Sequence, residues 1–493
     1  MDTKSKAQPL ETLKDKAWAR WTALVLLASA MFFAYIFMDV LSPLQEFLQN
    51  TKNWDPETYG RFTGSETFLN VFVFFLIFAG IILDKMGVRF TAVLSGGVML
   101  VGGFINYYAL TESFEQSSLA TFMNNFINLP DAWWNITPFF KGMPASAKLS
   151  AIGFMIFGCG VEMAGITVSR GIVKWFQGKE MALAMGTEMA LARVGVAVVV
   201  LGSPFLATLG NQINVSRSVG ISVLLLLIGL ISFIVYAFMD KKLENEMGSS
   251  AEEKDDPFKI SDLKYIFSSK VFWIVALLCV LYYSAIFPFQ KYAILMLQCN
   301  LDISAQDAGF VFFVFPLGAA AITPILGNYL DRKGKGATML IFGAVLMIVC
   351  HLTFALLLPI TQSKIIAYAA IILLGISFSL VPASLWPSVP KLVDNRLLGS
   401  AYAVIFWIQN IGLYAFPMII GAVIAFSNPG IENPLLYNFT VPMLVFAGLG
   451  VLALILGIAL KALDAKKHYG LELPNIEENK AEEYGPQVVA AEE

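Results

Sequence analysis

Long apolar runs alternate with short polar, cation-bearing stretches along almost the whole chain. Each run holds roughly 20 apolar residues, the length a helix needs to cross about 30 Å of hydrocarbon. The pattern predicts twelve membrane-spanning helices near 20–44, 60–83, 90–111, 149–174, 179–208, 216–239, 271–297, 307–330, 336–359, 364–388, 397–425 and 438–462. Several runs contain proline (Pro288, Pro316, Pro387 and Pro417). Such breaks are tolerated in membranes where neighbouring helices or water satisfy the freed carbonyls. The expected class is an all-α membrane protein.

The cations between the runs set an orientation. One side receives Lys4, Lys6, Lys14, Lys16 and Arg20, then Lys85 and Arg89, then Lys174 and Lys179. It also receives the lysines of 241–264, then Arg332, Lys333 and Lys335, then Lys391 and Arg396, and finally Lys466 and Lys467. The opposite loops hold scattered cations such as Lys52, Lys141, Arg217 and Lys364. The positive-inside rule makes both termini cytoplasmic. The expected organisation is a cytoplasmic N-terminal tail (1–19), a six-helix bundle (20–239), a charged cytoplasmic linker (240–270), a second six-helix bundle (271–462) and an acidic, disordered tail (463–493). The first run is long enough to remain as a span, so no cleaved signal peptide is expected.

Composition narrows the class further. Of 493 residues 57% are hydrophobic and 14% charged, against roughly a quarter charged in soluble chains; mean hydropathy is +0.69. A net charge of -3 gives no reason to expect a nucleic-acid partner. Cys159, Cys279, Cys299 and Cys350 are widely spaced in or beside apolar runs, as packing residues rather than metal ligands or a disulfide framework. No nucleophile constellation or nucleotide loop appears. Neither enzymatic activity nor a cofactor is expected. Asn135, Asn214 and Asn438 lie in Asn-x-Ser/Thr triplets that would permit glycosylation in a eukaryote.

Two stretches repeat across the halves. "GIILDKMGVRF" (80–90) follows the second span and "GNYLDRKGKGA" (327–337) the eighth. Both read Gly-x-x-x-Asp-basic-x-Gly. Gly80 and Gly327 would let helices approach closely, Asp84 and Asp331 would meet helix N-termini or cations, and Gly87 and Gly334 suit a tight turn. Lys85, Arg89 and Arg332 supply the cations. This pair of loops resembles the signature of the major facilitator superfamily, with Lys85 and Val88 departing from its usual pattern. The resemblance implies two six-helix bundles around a central cavity that opens alternately to each side.

Charges inside the spans carry the candidate chemistry. At a rise of about 1.5 Å per residue, Glu162 lies roughly 20 Å down the fourth span and Arg193 roughly 21 Å up the fifth. Glu188 sits about 13 Å up the same helix. Ions at that depth face a bundle interior or an aqueous cavity. Two readings stay open: the three lock the helices by pairing with one another, or they line the cavity and meet a charged ligand. Further candidates are Tyr282, Tyr283 and Lys291 in the seventh span, Trp386 in the tenth, and Gln409 and Asn410 in the eleventh. Lys291 reads equally as a snorkelling cation. Glu66 and Asn70, one turn apart, read as lining the outer half of a pathway. His351 reads as a packed residue.

A longer stretch, "GCGVEMAGITVSRGIVKWFQGKEMALAMGTEMALARVG" (158–195), resembles the lysosomal dipeptide uniporter branch of that superfamily. Further similar pieces are "FPF" (287–289), "LWP" (385–387), "LGSAY" (398–402) and "IQNIGL" (408–413). The resemblance implies that Glu162 takes the ammonium of a dipeptide and Arg193 its carboxylate. A planar guanidinium fork suits a carboxylate, and buried opposite charges replace water at both ends of a zwitterion. The functional expectation is a secondary transporter of short peptides, dipeptides above all, working by alternating access as a uniporter or proton-coupled symporter. Alternatives are a carrier of small organic or inorganic anions and, from another class, a non-transporting membrane receptor or scaffold. The expected partners are a short peptide and the lipid bilayer, with the chain monomeric and no accessory subunit evident. No acidic dileucine sorting signal stands in either tail, which favours a bacterial inner membrane, with the lysosomal membrane as the alternative.

Overall fold

The computed structural model describes residues 12–474 apart from 133, 178, 211, 248–262 and 394–397. Twelve long helices dominate it: α1 (Ala17–Asp39), α2 (Pro56–Phe72), α3 (Phe75–Ala109), α4 (Ala145–Phe176), α5 (Met181–Thr208) and α6 (Val215–Met247) in the first half. The second half holds α7 (Lys270–Leu301), α8 (Val314–Lys333), α9 (Gly336–Leu352), α10 (Lys364–Leu392), α11 (Leu398–Ser427) and α12 (Thr440–Lys467). The halves meet chiefly through α2 against α11 and α5 against α8. We call the side that carries residue 12, residue 474 and the ends flanking the linker the terminal side, and the opposite one the far side.

Eleven helices among the described residues are long and apolar enough to cross a membrane. The chain is an integral membrane protein. The expected second span, 60–83, is broken. Helix α2 stops at Phe72, Phe74 takes a left-handed φ of 55°, and α3 then runs on through the turn at Gly87. An apolar run hides such a break because it changes the backbone, not the composition. The carbonyl of Val71, freed by the break, accepts a hydrogen bond from the indole of Trp407 in α11 at 3.0 Å. Phe74 stacks on the same indole.

Local signals explain the helix starts. Asp55 caps α2 by accepting from the amide of Thr58, and Pro56 follows at the first helical position. Ser269 caps α7 in the same way through the amide of Phe272. At the turns, Gly87 and Gly334 take φ of 78° and 72°, which a side chain would strain. Gly80 and Gly327 do not serve close packing as expected, since a Cβ on either would meet nothing within 4 Å.

Close helix approach occurs instead at the far side. A Cβ on Gly60 would come within 2.4 Å of the Pro417 carbonyl, and one on Gly64 within 2.5 Å of the Tyr414 carbonyl. These glycines let the backbones of α2 and α11 touch. Hydrogen bonds and an ion pair join the two halves on the far side and at mid-level, from Gln49–Tyr437 down to Trp407–Val71.

The terminal side is organised within each half. Asp84 pairs with Arg170 at 3.1 Å, and Arg89 with Glu244 at 2.6 Å. Lys174 bridges Asp240 and Glu244, both at 2.8 Å. In the second half, the turn at Gly334 is strapped by the segment after α12. The amides of Lys335 and Gly336 donate to the carbonyls of Glu472 and Leu471. The Glu472 carboxylate accepts from the amide and hydroxyl of Thr338, and Lys391 donates to the carbonyls of Gly470 and Leu473. The tail therefore differs from the disorder expected from 463 onward: α12 reaches Lys467 and residues through Pro474 pack, while 475–493 lie outside the described residues. Most of the linker is likewise outside them.

Candidate functional site

Where the halves face each other at mid-depth, α1, α2, α4 and α5 bring charges to aromatic side chains of α7 and α10. Tyr35 of α1 lies within electrostatic reach of Glu188, Arg193, Glu162 and Glu66. Arg193 also feels Tyr283 of α7, and its guanidinium sits over the Phe378 ring of α10 at 4.3 Å from the centroid. Glu162 of α4 is within reach of the Asn410 amide of α11. The Trp386 indole donates to the Tyr283 hydroxyl at 3.2 Å. The cluster therefore spans both halves.

Burial shows that a cleft reaches it. Glu66, Glu162, Glu188, Arg193, Tyr35, Tyr283 and Trp386 are all half-buried. The far-side residues just beyond them, Asp39 and Tyr292, are buried. With the halves joined on the far side, the cleft opens toward the terminal side.

The charges are not locked together. Among the described residues, neither Glu188 nor Glu66 forms an ion pair or hydrogen bond, Glu162 meets the Asn410 side chain rather than a cation, and Arg193 forms no ion pair and lies over the Phe378 ring. Among the described residues, three carboxylates and one guanidinium stand around the cleft without an ion-pair partner. Nearby, the Asn410 Oδ1 and both side-chain polar atoms of Asn70 are buried without a hydrogen-bond partner among the described residues. Buried polar atoms left in this way are costly unless a ligand or water meets them.

The remaining sequence candidates go elsewhere. Lys291 is neither a snorkelling cation nor part of the open cleft: its ammonium bonds Asp39 at 2.7 Å and the Met38 carbonyl at 2.9 Å. Gln290 holds the other Asp39 oxygen at 2.7 Å. This cluster caps the cleft on the far side. Tyr282 is fully buried and its hydroxyl donates to the Leu340 carbonyl of α9, so it packs within the second half. Gln409 accepts from the Cys279 thiol. His351 is buried between the rings of Phe289 and Phe446. Asn135 is also buried, and its side chain bonds Pro130, Phe139 and Thr137, which leaves no amide for a glycan.

Sequence reasoning missed Asp39, Tyr35 and Phe378. Asp39 had a signal, being the single acid in the first apolar run. Tyr35 and Phe378 had none, because one aromatic among many in a membrane helix carries no mark of which way it faces. Among the described residues no group of His, Cys, Asp and Glu could hold a metal ion.

Comparison with known proteins fits this arrangement. The family model described as Major Facilitator Superfamily matches residues 27–417, with a second match over 292–481. The lysosomal dipeptide transporter MFSD1 of Bos taurus is 29% identical over 285 residues, 56% of this chain and 59% of the relative. This chain thus spans about three fifths of the bovine relative's length. The protein of the same name from Danio rerio is 26% identical over 421 residues, 82% of this chain and 80% of its own. Among solved structures, the nucleoside transporter NupG superposes with a TM-score of 0.66 at 12% identity, over 89% of this chain and 99% of its own. A D-xylose-proton symporter gives 0.64 at 13%, over 89% and 97%. These two likenesses carry the fold. The chain belongs to the Major Facilitator Superfamily.

Proposed function

We propose that this chain moves short peptides, dipeptides above all, across its membrane by alternating access. Glu162 takes the ammonium and Arg193 the carboxylate. The observation that carries this reading is a half-buried carboxylate and a half-buried guanidinium on adjacent helices, facing the opposite half and forming no ion pair among the described residues. An unpaired midplane ion is expensive, and a zwitterion that meets both charges removes the expense. Arg193 is held by a ring instead of a carboxylate, so its fork stays free for two oxygens. Tyr35 and Tyr283 stand beside it as hydroxyl donors, and Asn410 stands beside Glu162. The relatives whose names specify dipeptide transport support the same substrate class.

With the cation-rich loops in the cytoplasm, the conformation described is inward-open. The Gly60 and Gly64 contacts with α11 close the outer route, while the cleft at Arg193 and Glu188 faces the cytoplasm. Transport then needs the halves to part at α2–α11 and close on the terminal side.

A thermal-shift panel of dipeptides, free amino acids and simple carboxylates on wild type and Arg193→Ala tests the assignment, since a ligand of the folded state raises its stability. Dipeptides are expected to stabilise wild type and leave Arg193→Ala unmoved. Stabilisation by simple carboxylates with dipeptides inert would replace the peptide reading with an anion carrier.

A further inference from the structure

Asp39 and Lys291 are the pair that joins the halves directly above the cleft. Asp39 belongs to α1 and is almost wholly buried; Lys291 belongs to α7, and its side chain is 9% exposed. Ser42, Gln290 and the Met38 carbonyl complete their shell. The pair exists only while the far side is closed, because its members lie on opposite halves. A second carboxylate stands within electrostatic reach of the same ammonium: Glu66 of α2, which also feels Asp39 and Glu162. Glu66 and Lys291 lie at one level, each ten residues, roughly 15 Å, from the far end of its helix. The Glu66 backbone is fixed there, since its carbonyl touches the Cα side of Gly158 so closely that a Cβ would come within 1.9 Å. Glu66 is half-buried, forms no hydrogen bond or ion pair with a described residue, and borders the cleft.

We infer that Glu66 is a positioning residue that couples cleft occupancy to the Asp39–Lys291 latch. This rests on the peptide reading above only for the identity of the occupant. In the empty cleft, the free carboxylate of Glu66 competes with Asp39 for the Lys291 ammonium and loosens the latch. An ammonium group bound between Glu66 and Glu162 neutralises that competitor, and Lys291 commits to Asp39. Loading from the far side therefore favours closure of the far side. Removal of the Glu66 charge mimics loading, whereas removal of the Asp39 charge opens the latch, so the two substitutions act in opposite directions.

The test is the far-side distance distribution of the full chain in nanodiscs, read by electron–electron spin resonance. Labels sit at Thr51→Cys and Glu432→Cys, one on each half, in a background without the four native cysteines. Without ligand, Asp39→Asn is expected to raise the far-side-open fraction at least tenfold and Glu66→Gln to lower it at least threefold. Lys291→Gln repeats the Asp39→Asn result if that variant fails to fold. In the Asp39→Asn background, Glu66→Gln is expected to change nothing further, a non-additivity that a merely structural role would not produce. Dialanine is expected to shift wild type toward closure and to leave Glu66→Gln unmoved. Shifts of Glu66→Gln and Asp39→Asn in the same direction, or additive effects, would overturn the coupling. Opposed shifts without ligand, combined with inert dialanine, would retain the latch and reject the peptide.

Discussion

At the scale of single residues, charge inside an apolar run is the most readable signal, because lipid penalises every ion that lacks a purpose. Glu162, Glu188 and Arg193 stand out in the sequence on that ground alone. Whether they pair with one another does not, since it depends on helix rotation to within a fraction of a turn. The structure leaves them unpaired and sets Arg193 over Phe378. The same physics misplaced Lys291: its position toward the end of a run suits a snorkelling cation, and only the three-dimensional arrangement brings it against Asp39. A cation–π contact contributes about 0.5–2 kcal/mol. Phe378→Leu is therefore expected to weaken dipeptide binding roughly two- to thirtyfold, read by calorimetric titration, with folding retained because volume is nearly conserved. Unchanged affinity would show that the ring does not orient the guanidinium.

At the scale of helices, the position of most long apolar helices was legible, and breaks were not. The apolar run at 60–83 read as one span, but Phe74 turns left-handed within it and Trp407 of the other half takes up the freed Val71 carbonyl. The glycines that matter for packing were also hidden. The repeated loops drew attention to Gly80 and Gly327, which pack against nothing, while Gly60 and Gly64 carry the α2–α11 contact. Gly64→Val is expected to hold those backbones apart and abolish far-side closure. Cross-linking of Thr51→Cys to Glu432→Cys should fall severalfold, and uptake should fall with it. Undiminished cross-linking would show that α11 yields instead. The segment after α12 illustrates a related blind spot, because acidic composition suggests a solvated tail while Glu472 in fact caps the turn into α9. Loss of such a cap costs about 1 kcal/mol. Glu472→Ala should lower the melting temperature by a few degrees and leave dipeptide affinity intact; an unchanged melting temperature would mean that the strap does not contribute to stability.

At the scale of the whole molecule, the repeated signature loop and the spacing of twelve apolar runs pointed to two related halves, which pack on each other through α2 on α11 and α5 on α8. The hydrogen-bonded contacts between the halves lie to one side of the clustered charges, an arrangement that the proposed alternating access would produce at one end of its cycle. The central claim is that the protein grips both ends of a zwitterion at once. Competition against uptake of labelled dialanine by proteoliposomes tests it most directly, with unlabelled dialanine, N-acetyl-dialanine and dialanine amide as competitors. Unlabelled dialanine is predicted to compete at least a hundredfold better than either capped form, because each cap leaves Glu162 or Arg193 without its partner charge. Equal competition by the three would contradict the account.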